Sequence, residues 1–165
     1  MKSPNAGLRF AAVAAAFLML AACSSNKDGA GAGTDSTAGQ IRPGSAEDLA
    51  QNVGDRVFFD TDRSSLGDDA RATLQRQAAW MAQYPNLTFT IEGHADERGT
   101  REYNLALGGR RANAAKDYLV SLGVAASRLN TVSYGKERPV CLDSSESCWS
   151  QNRRAVTVIV SGVGS

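Results

Sequence analysis

The run Glu92-Gly93-His94-Ala95-Asp96-Glu97-Arg98-Gly99 concentrates ionisable side chains between an apolar stretch and a polar one. Glu92, His94 and Asp96 alternate, so on an extended chain they share a face, and that set suggests a metal. Hydrolytic zinc sites generally take two or three imidazoles, however, and His94 is the only histidine in the chain. It reads instead as a hydrogen-bonded structural residue. Nucleophilic catalysis lacks parts as well. Serines and threonines are plentiful, but His94 is their one candidate base and no G-x-S-x-G elbow precedes a helix. A glycosidase pair drawn from Glu92, Asp96 or Glu97 needs two carboxyls flanking one sugar bond at a set separation, which adjacency in sequence does not supply. The run therefore reads as a binding segment, with no catalytic residue, metal or cofactor assigned.

Strand and helix signals alternate around this run. Asp55 to Phe59 carries β-branched and aromatic residues and predicts a short strand. Gly67-Asp68-Asp69 opens a helix in which Ala70, Leu74, Ala78 and Met81 recur at helical spacing up to Tyr84, and Pro85-Asn86 stops it. Leu87 to Ile91 alternates as a strand. Thr100 to Leu122 predicts a longer helix with Leu105, Ala112, Leu119 and Leu122 inward, closed by Gly123. Arg128 to Tyr134 and Arg154 to Val160 add two strands. The order β-α-β-α-β-β, with right-handed crossovers, predicts a small α/β (α+β) sandwich with its helices packed on one sheet face. The chemical run then sits at a strand end before a helix start, where loops and free N–H groups serve binding.

The N-terminus bears on compartment. Lys2 and Arg9 flank an apolar run from Phe10 to Ala22, shorter than the ~20 residues a spanning helix needs. That layout predicts a secretory signal over residues 1–22. The run closes on Leu20-Ala21-Ala22-Cys23, similar to a bacterial lipobox, which implies acylation of the Cys23 sulfur and cleavage just before it; Ser24, rather than Asp, then favours the outer membrane. Two of the 18 basic residues lie in that segment, so 16 remain against 17 acidic ones. No polybasic cluster is left to engage nucleic acid. From Ser24 to about Ser45 the chain is mostly Gly, Ala, Ser, Thr and Asp, too poor in apolar area to offset its ordering entropy. We assign residues 23–50 to the lipid-bearing cysteine and a flexible tether, and 51–165 to one folded domain. Cys141 and Cys148 lie in a Ser-rich loop of an exported chain, where a local disulfide is favoured over two free thiols.

Five motifs occur in order: Phe58-Phe59-Asp60; GHADERGTREYN from Gly93 to Asn104; Leu107 to Ala114; Ser133-Tyr134-Gly135; and Gln151-Asn152-Arg153-Arg154. Together, over about residues 53–160, they resemble the OmpA-like C-terminal domain family, and the lipobox fits its lipid-anchored members. The cysteine loop departs from the commoner family pattern.

The resemblance implies recognition of meso-diaminopimelate in the peptidoglycan stem peptide, whose distal carbon bears an ammonium and a carboxylate. It assigns the ammonium to Asp96 and the carboxylate to the paired donors of Arg111. Phe59, Asp60, Asn104, Leu105 and Arg154 are expected to line the same pocket. Adjacent strand residues face opposite ways, so one of Arg153 and Arg154 is expected there, and we choose Arg154. The resemblance also implies partners: peptidoglycan, the outer membrane through lipid, and TolB with other Tol components in division. Residue spacing by itself leaves open an internal salt bridge from Arg111 to Asp96 or Glu97. A peptidoglycan hydrolase and an envelope assembly lipoprotein without wall affinity are the rival functions.

Overall fold

The computed structural model describes residues 41–162. The expected signal segment, Cys23 and most of the tether lie outside them. Among the described residues no helix is long and apolar enough to cross a membrane.

Order begins earlier than the expected domain start at residue 51. Ser45 caps α1 (Ala46–Asp48) by accepting from the Asp48 amide at 3.1 Å, and the helix continues as a wider turn through Val53. The Asp48 carboxylate accepts from Trp80 Nε1 at 2.9 Å, and Leu49 is buried in the core. One anchored apolar side chain and one anchored acid are what draw this segment in.

Strand β1 (Arg56–Phe58) precedes α2 (Asp68–Gln83), β2 (Thr88–His94), α3 (Arg101–Ser121), β3 (Leu129–Gly135), α4 (Glu146–Asn152) and β4 (Arg154–Ser161). The strand order is β1-β4-β2-β3. Strand β3 runs parallel to β2 after the α3 crossover, while β4 inserts antiparallel between β1 and β2. Phe89 and Ile91 of β2 and Leu129 of β3 turn to the helices, where Leu74, Met81 and Leu119 meet them in one core. Burying side chains of that size stabilises by roughly 1.5–3 kcal/mol each. The sandwich with helices on one face is as expected.

Three details differ. The inward face of α3 is Asn104, Leu107, Gly108, Arg111, Ala112, Ala115 and Leu119, so Leu105 and Leu122 fall off that stripe and stay exposed. The Ser-rich loop contains α4, which the sequence pattern does not announce. It is held by the Cys141–Cys148 disulfide and by Asn152, whose side-chain oxygen accepts from the amides of Val140 and Cys141.

The third detail is the closeness of α3 to the sheet. Gly93 in β2 lies against Gly108 in α3, and a Cβ at Gly93 would overlap the Gly108 carbonyl. This backbone-to-backbone approach fixes the strand end bearing Asp96 relative to the helix bearing Asn104 and Arg111.

Candidate functional site

The site forms where β2 ends and α3 begins. Asp96 lies two residues past the end of β2 and is 7 % exposed. Its Oδ1 accepts from the Arg98 amide at 3.0 Å and from Arg98 Nε at 3.1 Å. Its Oδ2 accepts from Arg98 Nη2 at 2.7 Å and from Arg153 Nη1 at 3.5 Å. Burial pushes the Asp96 carboxyl up, but the bonds from Arg98 outweigh it and hold it below the usual carboxylate range. Asp96 is therefore an anion at neutral pH.

Arg111 is fully buried. Its Nε donates to the Arg63 carbonyl at 2.8 Å, Nη1 to His94 at 2.8 Å and Nη2 to Asp60 at 3.0 Å. Its guanidinium carbon lies 5.3 Å from the centre of the Phe59 ring. Burial lowers its pKa to about 10 against the pull of Asp96, so it stays charged at neutral pH. Three of its N–H groups are engaged; guanidinium has five. No direct salt bridge joins Arg111 to Asp96 or Glu97 among the described residues.

Beside Asp96 opens a cavity of about 270 Å³, lined by Thr61, Asp62, Asp96, Arg98, Gly99, Tyr103, Asn104 and Leu107. Asn104 is held by donating to the Arg98 carbonyl at 2.8 Å. Tyr103 donates to Asp62, which sits in the left-handed region at φ 59°. A non-glycine residue held there marks a constrained loop. The cavity thus combines carboxylates and a guanidinium on an apolar floor, a setting suited to a small zwitterion.

Of the residues expected together, the structure gathers Asp96, Arg111, Phe59, Asp60 and Asn104, with Asp60 contributing its backbone carbonyl to Arg111. Leu105 lies outside the cavity, about half exposed, and Leu107 takes the floor. The choice between the two C-terminal arginines is corrected. Arg153 reaches Asp96 and donates to the Phe59 carbonyl at 3.0 Å, whereas Arg154 turns to the other face and meets the carbonyls of Arg138 and Asn152. Alternation does turn one arginine toward the site, and it is Arg153 rather than the expected Arg154. The outer row of β4, Val156, Val158 and Val160, looks more core-like than the inner Ala155, Thr157 and Ile159. Arg98 and Asp62 were missed; Arg98 lies inside the charged run, and that proximity was the available signal.

His94 is not beside Asp96 in chemistry. Its ring is 2 % exposed, 5.6 Å from that of Tyr134, and neither nitrogen has a hydrogen-bond partner among the described residues. Burial first, then Arg154 and Arg138, push its pKa down to about 4 from 6.5. Between those values the unfolded chain binds the proton and the folded one does not. The neutral ring's contribution is therefore whole above pH 6.5 and is lost as pH falls through about 4. Urea unfolding from pH 7 to 4 should show stability falling by on the order of 3 kcal/mol from this group. His94→Gln should flatten that slope, and an unchanged slope would contradict the buried neutral imidazole.

A family model described as the OmpA family matches residues 58–154, more than half of the chain. The chain belongs to the OmpA family. It is 62% identical over 152 residues to the peptidoglycan-associated lipoprotein of Rhizobium meliloti (strain 1021), covering 90% of this chain and 85% of that one. It is 45% identical over 145 residues to the protein of the same name from Haemophilus influenzae, covering 87% of this chain and 92% of that one. Among solved structures, this OmpA-family domain is similar to the peptidoglycan-associated lipoprotein of Burkholderia pseudomallei, with 42% identity and a TM-score of 0.64 over 68% of this chain and all of that one. The C-terminal domain of Helicobacter pylori MotB, at 20% identity and a TM-score of 0.62, covers 66% of this chain and 86% of that one and shares the fold.

Proposed function

We propose that this OmpA-family chain is an outer-membrane lipoprotein that binds peptidoglycan without cleaving it. The names of its relatives support the peptidoglycan and lipid parts of that reading. Acyl chains on Cys23 hold the membrane end, and the Gly-, Ala- and Ser-rich segment that follows joins that anchor to the wall-binding domain. The ligand is the distal zwitterion of meso-diaminopimelate. The observation that carries this reading is the pairing of an ionised Asp96 at a cavity with a buried cationic Arg111 behind it. Asp96 takes the ammonium. The carboxylate meets the Arg111 donors that the backbone carbonyls leave unengaged, which the loop at residues 60–63 screens in the free protein. Through wall and membrane attachment the protein works with TolB and other Tol components in envelope integrity and division.

Calorimetric titration of residues 24–165 with a diaminopimelate-containing stem peptide tests the ligand. Asp96→Asn keeps the shape of the side chain and removes its charge, and should weaken binding at least ~10-fold, the equivalent of one charged hydrogen bond. Equal binding by parent and variant would sink the assignment, and release of soluble fragments from purified sacculi would replace binding with hydrolysis.

A further inference from the structure

Helix α4 and its disulfide have no part in the ligand contacts above, yet they stand behind both cations that touch Asp96. Glu146 Oε1 accepts from Arg153 Nη2 at 2.6 Å, and Glu146 Oε2 lies 3.9 Å from Arg98 Nη1. The Arg98 guanidinium carbon sits 4.2 Å from the centre of the Trp149 ring, within stacking and cation–π range. Trp149 is itself fixed, since its Nε1 donates to Glu97 Oε1 at 2.9 Å. Thus α4 presents an anion to Arg153 and an aromatic face to Arg98.

Seven residues cannot hold a helix by themselves, because nucleation costs more than so few backbone bonds return. Ser145 makes no side-chain cap bond at its start. The helix is kept by tertiary ties: Cys148, 1 % exposed, is bonded to Cys141, and Asn152 both accepts from and donates to the backbone of Cys141. Residues 140–141 are therefore pinned to both halves of α4. Removing the disulfide frees the N-terminal half, which carries Glu146 and adjoins Trp149.

We propose that Trp149 and Glu146 are positioning residues for the zwitterionic ligand, and that the Cys141–Cys148 bond determines how firmly they hold Arg98 and Arg153 on Asp96. This rests on the functional reading above. A loosened α4 lets both guanidiniums leave the carboxylate, so Asp96 loses its orientation toward the cavity. The ligand then meets a mobile acid in place of a fixed one, and affinity falls.

The test uses residues 24–165, which contain the whole described core and no third cysteine. Peptide affinity is measured by calorimetry, and the Asp96 carboxyl is titrated by carbon NMR without ligand. Trp149→Ala is expected to weaken the stem peptide about 5- to 20-fold, several-fold short of abolition because Asp96 itself remains. The same variant should raise the pH midpoint of Asp96. Trp149→Phe, which keeps a ring under Arg98, should restore most of both. The double variant Cys141→Ser/Cys148→Ser, with a native circular-dichroism spectrum, should move both readouts in the direction of Trp149→Ala. Unchanged affinity and an unchanged Asp96 midpoint in Trp149→Ala and in the double variant would overturn the proposal. A parent that fails to bind the peptide would instead remove the functional reading and the ligand half of this proposal with it, while the ligand-free titration still decides whether α4 positions the two cations.

Discussion

Arg111→Ala is expected to destabilise the domain by about 3–5 kcal/mol before any ligand is considered. The guanidinium is fully buried and joins three backbone carbonyls, those of Asp60, Arg63 and His94, that belong to different parts of the chain. Alanine leaves all three acceptors without that partner and opens a void above the Phe59 ring. Each unpaired buried carbonyl costs roughly 1–3 kcal/mol, partly offset where loop residues relax or water enters. Lysine at this position keeps the charge but not the planar fork, so it should recover only part of the loss. Urea denaturation of the parent, Arg111→Ala and Arg111→Lys checks this. A midpoint for Arg111→Ala within the scatter of the parent would show that the carbonyls are satisfied without it. The result governs how binding data are read: lost affinity in Arg111→Ala reports the collapse of the residue 60–63 loop as readily as a lost ligand contact. Asp96→Asn is the cleaner probe.

Gly93→Ala should be at least as damaging, by about 3 kcal/mol or more, or should prevent folding. The added methyl meets the Gly108 carbonyl, a backbone group, and lies 3.2 Å from Ala112 Cβ. Backbone on both sides leaves no side chain to rotate away, so α3 must lift from β2. The helix carries Asn104 and Arg111, and the strand leads into Asp96. This contact sets their separation together with the close approach of Gly135 in β3 to the backbone of Asn104 and Leu105. Near-ultraviolet circular dichroism and thermal unfolding should show lost tertiary packing or a melting temperature many degrees lower. A parent-like melt would mean that the helix has room to retreat without cost. Gly108→Ala makes a matched comparison, since its Cβ would meet the Gly93 carbonyl oxygen at 2.8 Å and the Ser133 hydroxyl.

The glycine contact also illustrates what was legible in sequence. Alternation and helical spacing located β1 to β4, α2 and α3, most plainly α2 and β2, whose buried residues form regular apolar rows, and least plainly β1, which buries only Val57. The insertion of β4 between β1 and β2 was not legible, since pairing depends on packing between distant segments rather than on local pattern. Helix α4 was hidden for a related reason: its stability comes from a disulfide and Asn152, not from an apolar stripe. Asp96, Asn104 and Arg111 were reached through motif resemblance, and residue spacing by itself left their convergence open. Arg153 was lost to a parity error that two apolar rows on one strand made unavoidable. Leu105 was misplaced because a leucine at nearly the right spacing outranked the less conspicuous Leu107.

The described chain enters at the end of the sheet opposite Asp96. Gly44 lies against Tyr84, and Arg42 and Pro43 border a cavity shared with Leu87 and Gly162, at the start of β2 and the finish of β4. Asp96 follows the other end of β2, a strand of seven residues and hence roughly 20 Å away. Any tension between the N-terminal segment and a molecule held at Asp96 is then directed along the strands. The segment joins the sheet through β1, a three-residue edge strand paired only with β4, so the β1–β4 and β4–β2 hydrogen bonds and the docking of Asp48 and Leu49 would resist such a pull. How long the domain survives under load is set by its unfolding rate, not by its equilibrium stability. An attachment point beside the cavity would have left that resistance unused.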